Sequence, residues 1–191
     1  MKYTNIHTVE EGSKRDLQLK AEAQQSELKW LDKLKTNPED HKVHFNIGEA
    51  RYLQGKMNEA LESFSFATLL NPEDYDSIHY RGLILFGKGE YEKAIREFQN
   101  VIQFAPNHTD AHSYYGSSLM ELGRFDEAIV QFERAVHHIN HPVLKSEQFV
   151  YLAQANLASG FSNEAKANCI TAIELDPTNK EAQQLLKSLD N

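Results

Sequence analysis

Residues 75–108 read YDSIHYRGLILFGKGEYEKAIREFQNVIQFAPNH, and the 34 residues before them (41–74) and after them (109–142) can be laid over this stretch without a gap. Gly48, Gly82 and Gly116 then coincide, as do Gly55, Gly89 and Gly123, Ala60, Ala94 and Ala128, and Phe64, Phe98 and Phe132. Pro38, Pro72 and Pro106 punctuate the same ladder. A fixed period of this length marks a stacked array, whose units bury their apolar faces only against their neighbours. An array of that kind offers a groove, so the sequence points to binding a partner before it points to chemistry.

One unit shows how the pattern becomes structure. In 41–74, Phe45, Ile47, Ala50 and Tyr52 mix with polar residues at helical spacing, and Leu61, Phe64, Ala67 and Leu69 do so again after Gly55. Glycine at 55 accepts the positive φ of a helix C-cap and lets the chain reverse quickly. Gly48 lies inside a helix, where glycine costs about 1 kcal/mol against alanine. Its presence predicts a close approach of the paired helices, with Ala60 also small and Phe64 filling the space between units. Pro72 stops the second helix. Acids stand near helix starts, Asp40, Asp74 and Asp110 for first helices and Glu59, Glu92 and Glu127 for second ones, where they complement the helix dipole.

These residues resemble the tetratricopeptide repeat, a helix-turn-helix of 34 residues with small residues, an aromatic and a closing proline at these offsets. The resemblance runs from Pro38 to Asn191. It implies an all-α fold, a right-handed α-solenoid of tandem helix-turn-helix repeats with helical caps. The expected parts are a disordered tail at 1–12, an N-terminal helix within 13–37 acting as a degenerate half-repeat cap, and repeats at 41–74, 75–108 and 109–142. A longer connection to residue 145, a fourth repeat at 146–179 and a capping helix at 180–191 complete the chain. The N-terminal helix carries an apolar stripe of Leu17, Ala21, Leu28, Leu31 and Leu34, with Trp30 at the place of the repeating phenylalanine. The C-terminal helix turns Ala182, Leu185, Leu186 and Leu189 inward.

Departures from the pattern are as informative. The fourth unit places Ala153, Gly160, Ala165, Cys169, Ala172 and Pro177 on the motif positions but begins 37 residues after the third. With Pro142 interrupting 137–145, a longer loop is expected there. His44 and His112 stand where a large apolar residue is usual. Arg81 stands where leucine is usual and must snorkel outward or meet a carboxylate.

The formal charge of −8, with lysine and arginine scattered among acids, argues against nucleic acid as the ligand. No segment reaches the roughly 18 consecutive apolar residues of a membrane span, so no membrane partner is expected. The first dozen residues lack the pattern of a secretory signal, and a cytoplasmic location is the expectation. Cys169 is the only cysteine, which excludes an intrachain disulfide and reads as core.

Apparent chemistry dissolves on inspection. Gly82, Gly87 and Lys88 have the spacing of a phosphate loop, but Gly89 follows in place of Ser or Thr, and Leu83, Ile84, Leu85 and Phe86 read as helix. His137, His138 and His141 suggest a metal, yet Pro142 marks a helix end and no carboxylate or cysteine joins them, so a solvated turn is the reading and no metal or cofactor is expected. His108 and His112 sit at a helix start, and no serine, cysteine or aspartate lies in a nucleophile motif. The chain reads as a non-enzyme.

In the family it resembles, particular places of each first helix face the concave groove. Carried over one at a time, they give Lys42, Phe45, Asn46, Glu49, Tyr52 and Leu53, then Asp76, His79, Tyr80, Leu83 and Phe86. The third unit supplies Asp110, Ser113, Tyr114, Ser117, Met120 and Glu121, and the fourth Glu147, Val150, Tyr151, Gln154 and Leu157. Tyr80, Tyr114 and Tyr151 recur at one place, either as a ladder for peptide capture or as packing between first helices. One known use of the fold clamps the acidic C-terminus of Hsp70 and Hsp90 with basic residues and asparagines; here Phe45, Glu49, Tyr80, Asp110 and Tyr114 occupy those places and disfavour that partner. The leading expectation is an interaction scaffold or adaptor binding a peptide or helical segment with apolar anchors. An assembly factor or secretion chaperone of the pilus or type III kind is the first alternative. Self-assembly, as a homodimer through the N-terminal helix, is the second.

Overall fold

The structure is a computed structural model and describes residues 9–190, with side chains from Arg15 on. Among the described residues there are ten helices and no strand: α1 (Val9–Leu34), α2 (His41–Leu53), α3 (Met57–Leu70), α4 (Tyr75–Gly87), α5 (Tyr91–Phe104), α6 (Thr109–Glu121), α7 (Phe125–His138), α8 (Pro142–Ala158), α9 (Ser162–Leu175) and α10 (Lys180–Leu189). The chain divides into two compact units, one ending at Arg81 and the other starting at Gly82, so the boundary falls inside α4. Helix α1 begins at Val9, so 9–12 are helical and not part of a tail; residues 1–8 of that expectation lie outside the described residues. Nothing between Val9 and Ser13 stops a helix, since Gly12 costs only about 1 kcal/mol there.

The turn inside each repeat is the same hydrogen-bonded device. After α4 the amide of Glu90 donates to Leu85 O at 2.9 Å and that of Gly89 to Phe86 O at 2.9 Å, closing a Schellman motif with Gly89 at φ 75°. The motif recurs after α8, where Phe161 N–H reaches Asn156 O at 2.8 Å and Gly160 takes φ 84°. A second device holds the turn between repeats. The Nε2–H of His44 donates to Pro38 O at 2.8 Å, and that of His112 to Pro106 O at 2.9 Å. Gln183 Nε2 does the same to Pro177 O at 2.7 Å. The histidines at the apolar place are therefore latches on the proline carbonyl six residues upstream, and a carbonyl, which only accepts, fixes the proton on Nε2.

In the first unit, Phe64 is fully buried against Gly48, where an added Cβ would come within 2.8 Å of the ring. The second unit repeats this at Gly82 with Phe98 (2.6 Å) and at Gly116 with Phe132 (2.8 Å). Glycine is required at these places by space, which offsets its cost inside a helix. In the fourth repeat Ala153 replaces the glycine and Cys169 the phenylalanine, and the two pack with Ala165 beneath Leu185, Leu186 and Leu189 of α10.

The junction before the fourth repeat corrects the sequence reading. The connection Ile139–His141 is three residues, shorter than the four-residue connections 71–74, 105–108 and 176–179, and α8 has 17 residues where α2, α4 and α6 have 13. Four residues more in the helix and one fewer in the connection make up the three-residue excess (4 − 1 = 3) over the 34-residue period. Pro142 does not break the chain: it starts α8, where its fixed φ suits a helix and its missing N–H leaves no donor unpaired.

Helix α1 also differs from expectation. Its buried residues are Ala23 and Glu27, with Trp30, Leu31 and Leu34 half-buried, whereas Leu17 (69% exposed), Leu28 (64%) and Ala21 face outward. The inward face follows 23, 27, 30, 31 and 34, and it has an acid at its centre. Glu27 Oε1 accepts Arg51 Nε at 2.8 Å, and Oε2 accepts Gln54 Nε2 and Lys56 Nζ, each at 2.9 Å. Burial alone would raise the pKa of Glu27, but the hydrogen bonds from Arg51, Lys56 and Gln54 outweigh it and bring it down to about 2. Arg51 also donates to Ser63 Oγ at 2.8 Å, so one guanidinium joins α1, α2 and α3.

Candidate partner-binding faces

The three recurring tyrosines are placed by the buried phenylalanines. In the first unit Tyr80 stacks on Phe64, with centroids 4.9 Å apart and planes at 8°. In the second, Tyr114 stacks on Phe98 and Tyr151 on Phe132, each at 5.8 Å and 21°. Each pair is worth about 0.5–1.5 kcal/mol beyond the area it buries. The seating is the same although Phe132 and Tyr151 are 19 residues apart and the other pairs 16.

The surroundings of the three rings differ. Tyr80 is enclosed by Phe45 (5.8 Å, 65°) and Tyr52 (5.3 Å, 71°) and donates its hydroxyl to Glu49 Oε1 at 3.3 Å. Burial, then the charge and hydrogen bond of Glu49, push its pKa up to about 12, so this phenol stays protonated. Phe45, Glu49, Tyr52 and Tyr80 therefore form one cluster on α2 and α4, beside which His79 is half-buried and Asn46 gives its amide to Lys42 O. Three rings, Phe45, Tyr52 and Phe64, pack around this tyrosine. By contrast Tyr114 is 38% exposed and Tyr151 41%, although Phe86 meets the Tyr114 edge at 5.5 Å. These two combine packing on one side with an open surface on the other.

Of the remaining residues expected on the binding face, Leu83, Phe86, Ser117, Met120 and Gln154 are half-buried on α4, α6 and α8. Ser117 donates to Ser113 O, and Gln154 to Glu181 Oε1 at 2.8 Å. Ser113 lies deeper than these. It is buried and donates to Gln148 Oε1 at 2.7 Å, because α8 covers its place with a polar side chain. Val150 is likewise buried, against Ala172 and Ala182. Arg81 is half-buried and donates to Thr68 Oγ1 at 2.9 Å.

A cleft of ≈ 490 Å³ opens between α6 and the start of α8, bordered by Asp110, Tyr114, Ser117, Leu144, Glu147 and Tyr151. The sequence reading missed Leu144, which belongs to the extra turn of α8. The histidines beside it do not converge. His137 and His138 meet edge to face at 4.9 Å at the end of α7, and His141 immediately precedes α8 without a capping bond from its side chain. Among the described residues no group of three or more His, Cys, Asp or Glu is placed to hold a metal. The phosphate-loop spacing at 82–88 lies on helix through Gly87, with its amides committed to helical bonds. Among the described residues no helix is long and apolar enough to cross a membrane.

A family profile described as tetratricopeptide repeat matches residues 85–143. That stretch is tetratricopeptide repeat. Solved structures extend the likeness beyond that stretch. A structure of MamA aligns over 94% of this chain and 99% of its own, with a TM-score of 0.76 and 18% identity. YrrB, described as a TPR protein with an unusual peptide-binding site, aligns over 87% of this chain and 84% of its own, with a TM-score of 0.75 and 18% identity. The first TPR of Spaghetti (RPAP3), solved with the HSP90 peptide SRMEEVD, aligns over 62% of this chain and 91% of its own, with a TM-score of 0.57 and 22% identity. The fold is that of an all-α TPR solenoid. A search of curated protein sequences gave no match.

Proposed function

We propose that this TPR protein is a non-catalytic interaction scaffold that takes a peptide or helical segment of a partner on the faces of its first helices. The observation that carries this reading is the pair of half-open tyrosines. Tyr114 and Tyr151 are fixed from behind by Phe98 and Phe132 yet keep more than a third of their surface open, as preorganised contact residues do. Phe86 and Met120 give the same face apolar neighbours, and Phe45 and Tyr52 do so on α2. YrrB, described with a peptide-binding site, and the RPAP3 domain, solved with a peptide, support this reading by their likeness of fold. The acids at Glu49, Asp110 and Glu147 favour a segment carrying basic residues and disfavour an acidic C-terminal tail of the Hsp70 or Hsp90 kind.

The test is peptide display against the full chain, followed by NMR mapping of an enriched peptide. Amide shifts centred on α6 and α8 support the proposal. Shifts confined to the outer face of α3, where Phe66 and Leu69 are exposed, would sink it.

Self-association is a second reading, favoured by the outward leucines of α1. Leu17 and Leu28 form an unpaired apolar edge. Light scattering on the full chain and on Leu17→Ser/Leu28→Ser decides it: a dimer that becomes a monomer supports this reading, and a monomer in both cases removes it.

A further inference from the structure

The extra turn of α8 makes the second unit unlike a plain run of repeats, and its consequence is chemical. The Tyr151–Phe132 stack keeps the geometry of Tyr114–Phe98, so the three added residues are absorbed between the two rings, ahead of Tyr151. They carry Ile139–Leu144 beside α6 as a wall that the four-residue connections do not provide. Leu144 on that wall is 52% exposed, an apolar residue held in the cleft mouth. Two open tyrosine rings lie across from it, and the carboxylates of Asp110 and Glu147 stand at the rim. Neither carboxylate takes a hydrogen bond or ion pair from another described residue, in contrast to Glu27, Glu49, Glu127 and Glu181. The adjoining hollow shares Glu147 and Tyr151 and adds Asp176 and Glu181, with Lys180 as its one cation.

Flat aromatic faces, uncommitted carboxylates and an apolar lip together describe a receptor for a planar cation on an aliphatic stem. We infer that this cleft receives an arginine side chain of the partner segment, with the neighbouring apolar residue of that segment against Leu144. Arginine is selected over lysine because its guanidinium stacks on a tyrosine face while its edge donates two parallel hydrogen bonds to a carboxylate. An ammonium, compact and strongly hydrated, uses the charge but not the ring. The inference rests on the scaffold reading and assigns its specificity to one subsite.

The experiment is an NMR titration of the labelled full chain with N-acetyl-arginine methylamide, and with the lysine and norleucine analogues as probes. Saturable shifts are expected at Asp110, Tyr114, Leu144 and Tyr151 for the arginine probe, with Kd on the order of millimolar for so small a ligand and weaker binding by lysine. Asp110→Asn/Glu147→Gln changes only exposed side chains and should weaken arginine binding roughly tenfold. Raising the salt concentration should weaken it further, since the rim is exposed. Shifts no greater than those with norleucine, or a response unchanged in the double variant, overturn the inference. Peptides enriched by display separate this failure from that of the scaffold reading. If they map to α6 and α8 but lack arginine and tolerate the double variant, the subsite is wrong and the scaffold stands; if they carry arginine and lose binding in that variant, both stand.

Discussion

The two terminal helices are fastened by opposite means. In the first unit α1 is held through a carboxylate: Glu27, its side chain 9% exposed, takes donors from Arg51, Gln54 and Lys56. In the second unit α10 is held through volume: Leu185, Leu186 and Leu189 rest on Ala153, Ala165 and Cys169. The contrast teaches what each attachment responds to. A charged clasp is directional and depends on protonation, whereas an apolar seat depends on shape and area. At the α10 end the compensation is legible residue by residue. Alanine takes the glycine place, cysteine the phenylalanine place and Leu185 the tyrosine place, so one small gain in size faces two losses and leucines from the cap close the remaining space.

The largest break in this comparison is expected from Leu185→Ala/Leu189→Ala. Truncating two leucines on the seat should cost about 3–5 kcal/mol in urea unfolding, at a level independent of acid pH. Acid should act on the other end. The pKa of Glu27 is depressed from 4.5 to about 2, so its contribution is complete above pH 4.5 and is lost as pH falls toward 2. The loss amounts to as much as about 3 kcal/mol. Hydrogen exchange should show α1 amides opening across that interval while those of α10 stay protected by comparison. Glu27→Gln should cost about 2 kcal/mol at neutral pH and abolish the acid response; an undiminished response would assign it to another group.

A smaller effect sharpens the steric side. Gly116→Ala forces a methyl toward Phe132, where an added Cβ would lie 2.8 Å away, at a cost of about 1–3 kcal/mol. Combining it with Phe132→Cys should recover part of the summed loss, by about 0.5–3 kcal/mol in a double-mutant cycle, since the pair imitates Ala153 and Cys169. Ala153→Gly should be the mildest change, about 1 kcal/mol from helix propensity, with little change in packing. A larger loss there would show that the Ala153 methyl bears on Cys169 as strongly as Phe132 bears on Gly116.

The helices and their turns were legible because glycine, alanine and phenylalanine each answer a local demand that recurs at a fixed offset. The 37-residue spacing counted the excess residues correctly but not their form, since Pro142 reads equally as a break and as a helical first residue. The places carried over from the family led to Phe86, Met120 and Tyr151, each of which keeps part of its surface open. The burial of Ser113 was not legible, because its hydrogen bond to Gln148 joins residues 35 apart on different helices. Glu27 was invisible in α1, whose acids and bases alternate without pattern. Its partner did leave a trace: Arg51 occupies the place that Leu85 and Leu119 fill in the next two units, and an arginine at a buried leucine place calls for an acid within reach.

The sixteen-residue steps from Gly48 to Phe64 to Tyr80, repeated from Gly82 to Phe98 to Tyr114 and followed by steps of 16 and 19 from Gly116 to Phe132 to Tyr151, have a consequence for how such a chain changes length. Excising 82–115 would place Gly116 after Arg81 and Tyr114 out of the chain, yet Phe64 would keep Tyr80 and Phe132 would keep Gly116 and Tyr151. Every ring would retain a partner of the same kind. Copy number can therefore vary by recombination inside α4 or its counterparts without inventing a new contact. The fourth unit, with its altered spacing and its own set of small residues, stays behind as the fixed end from which such a series is counted.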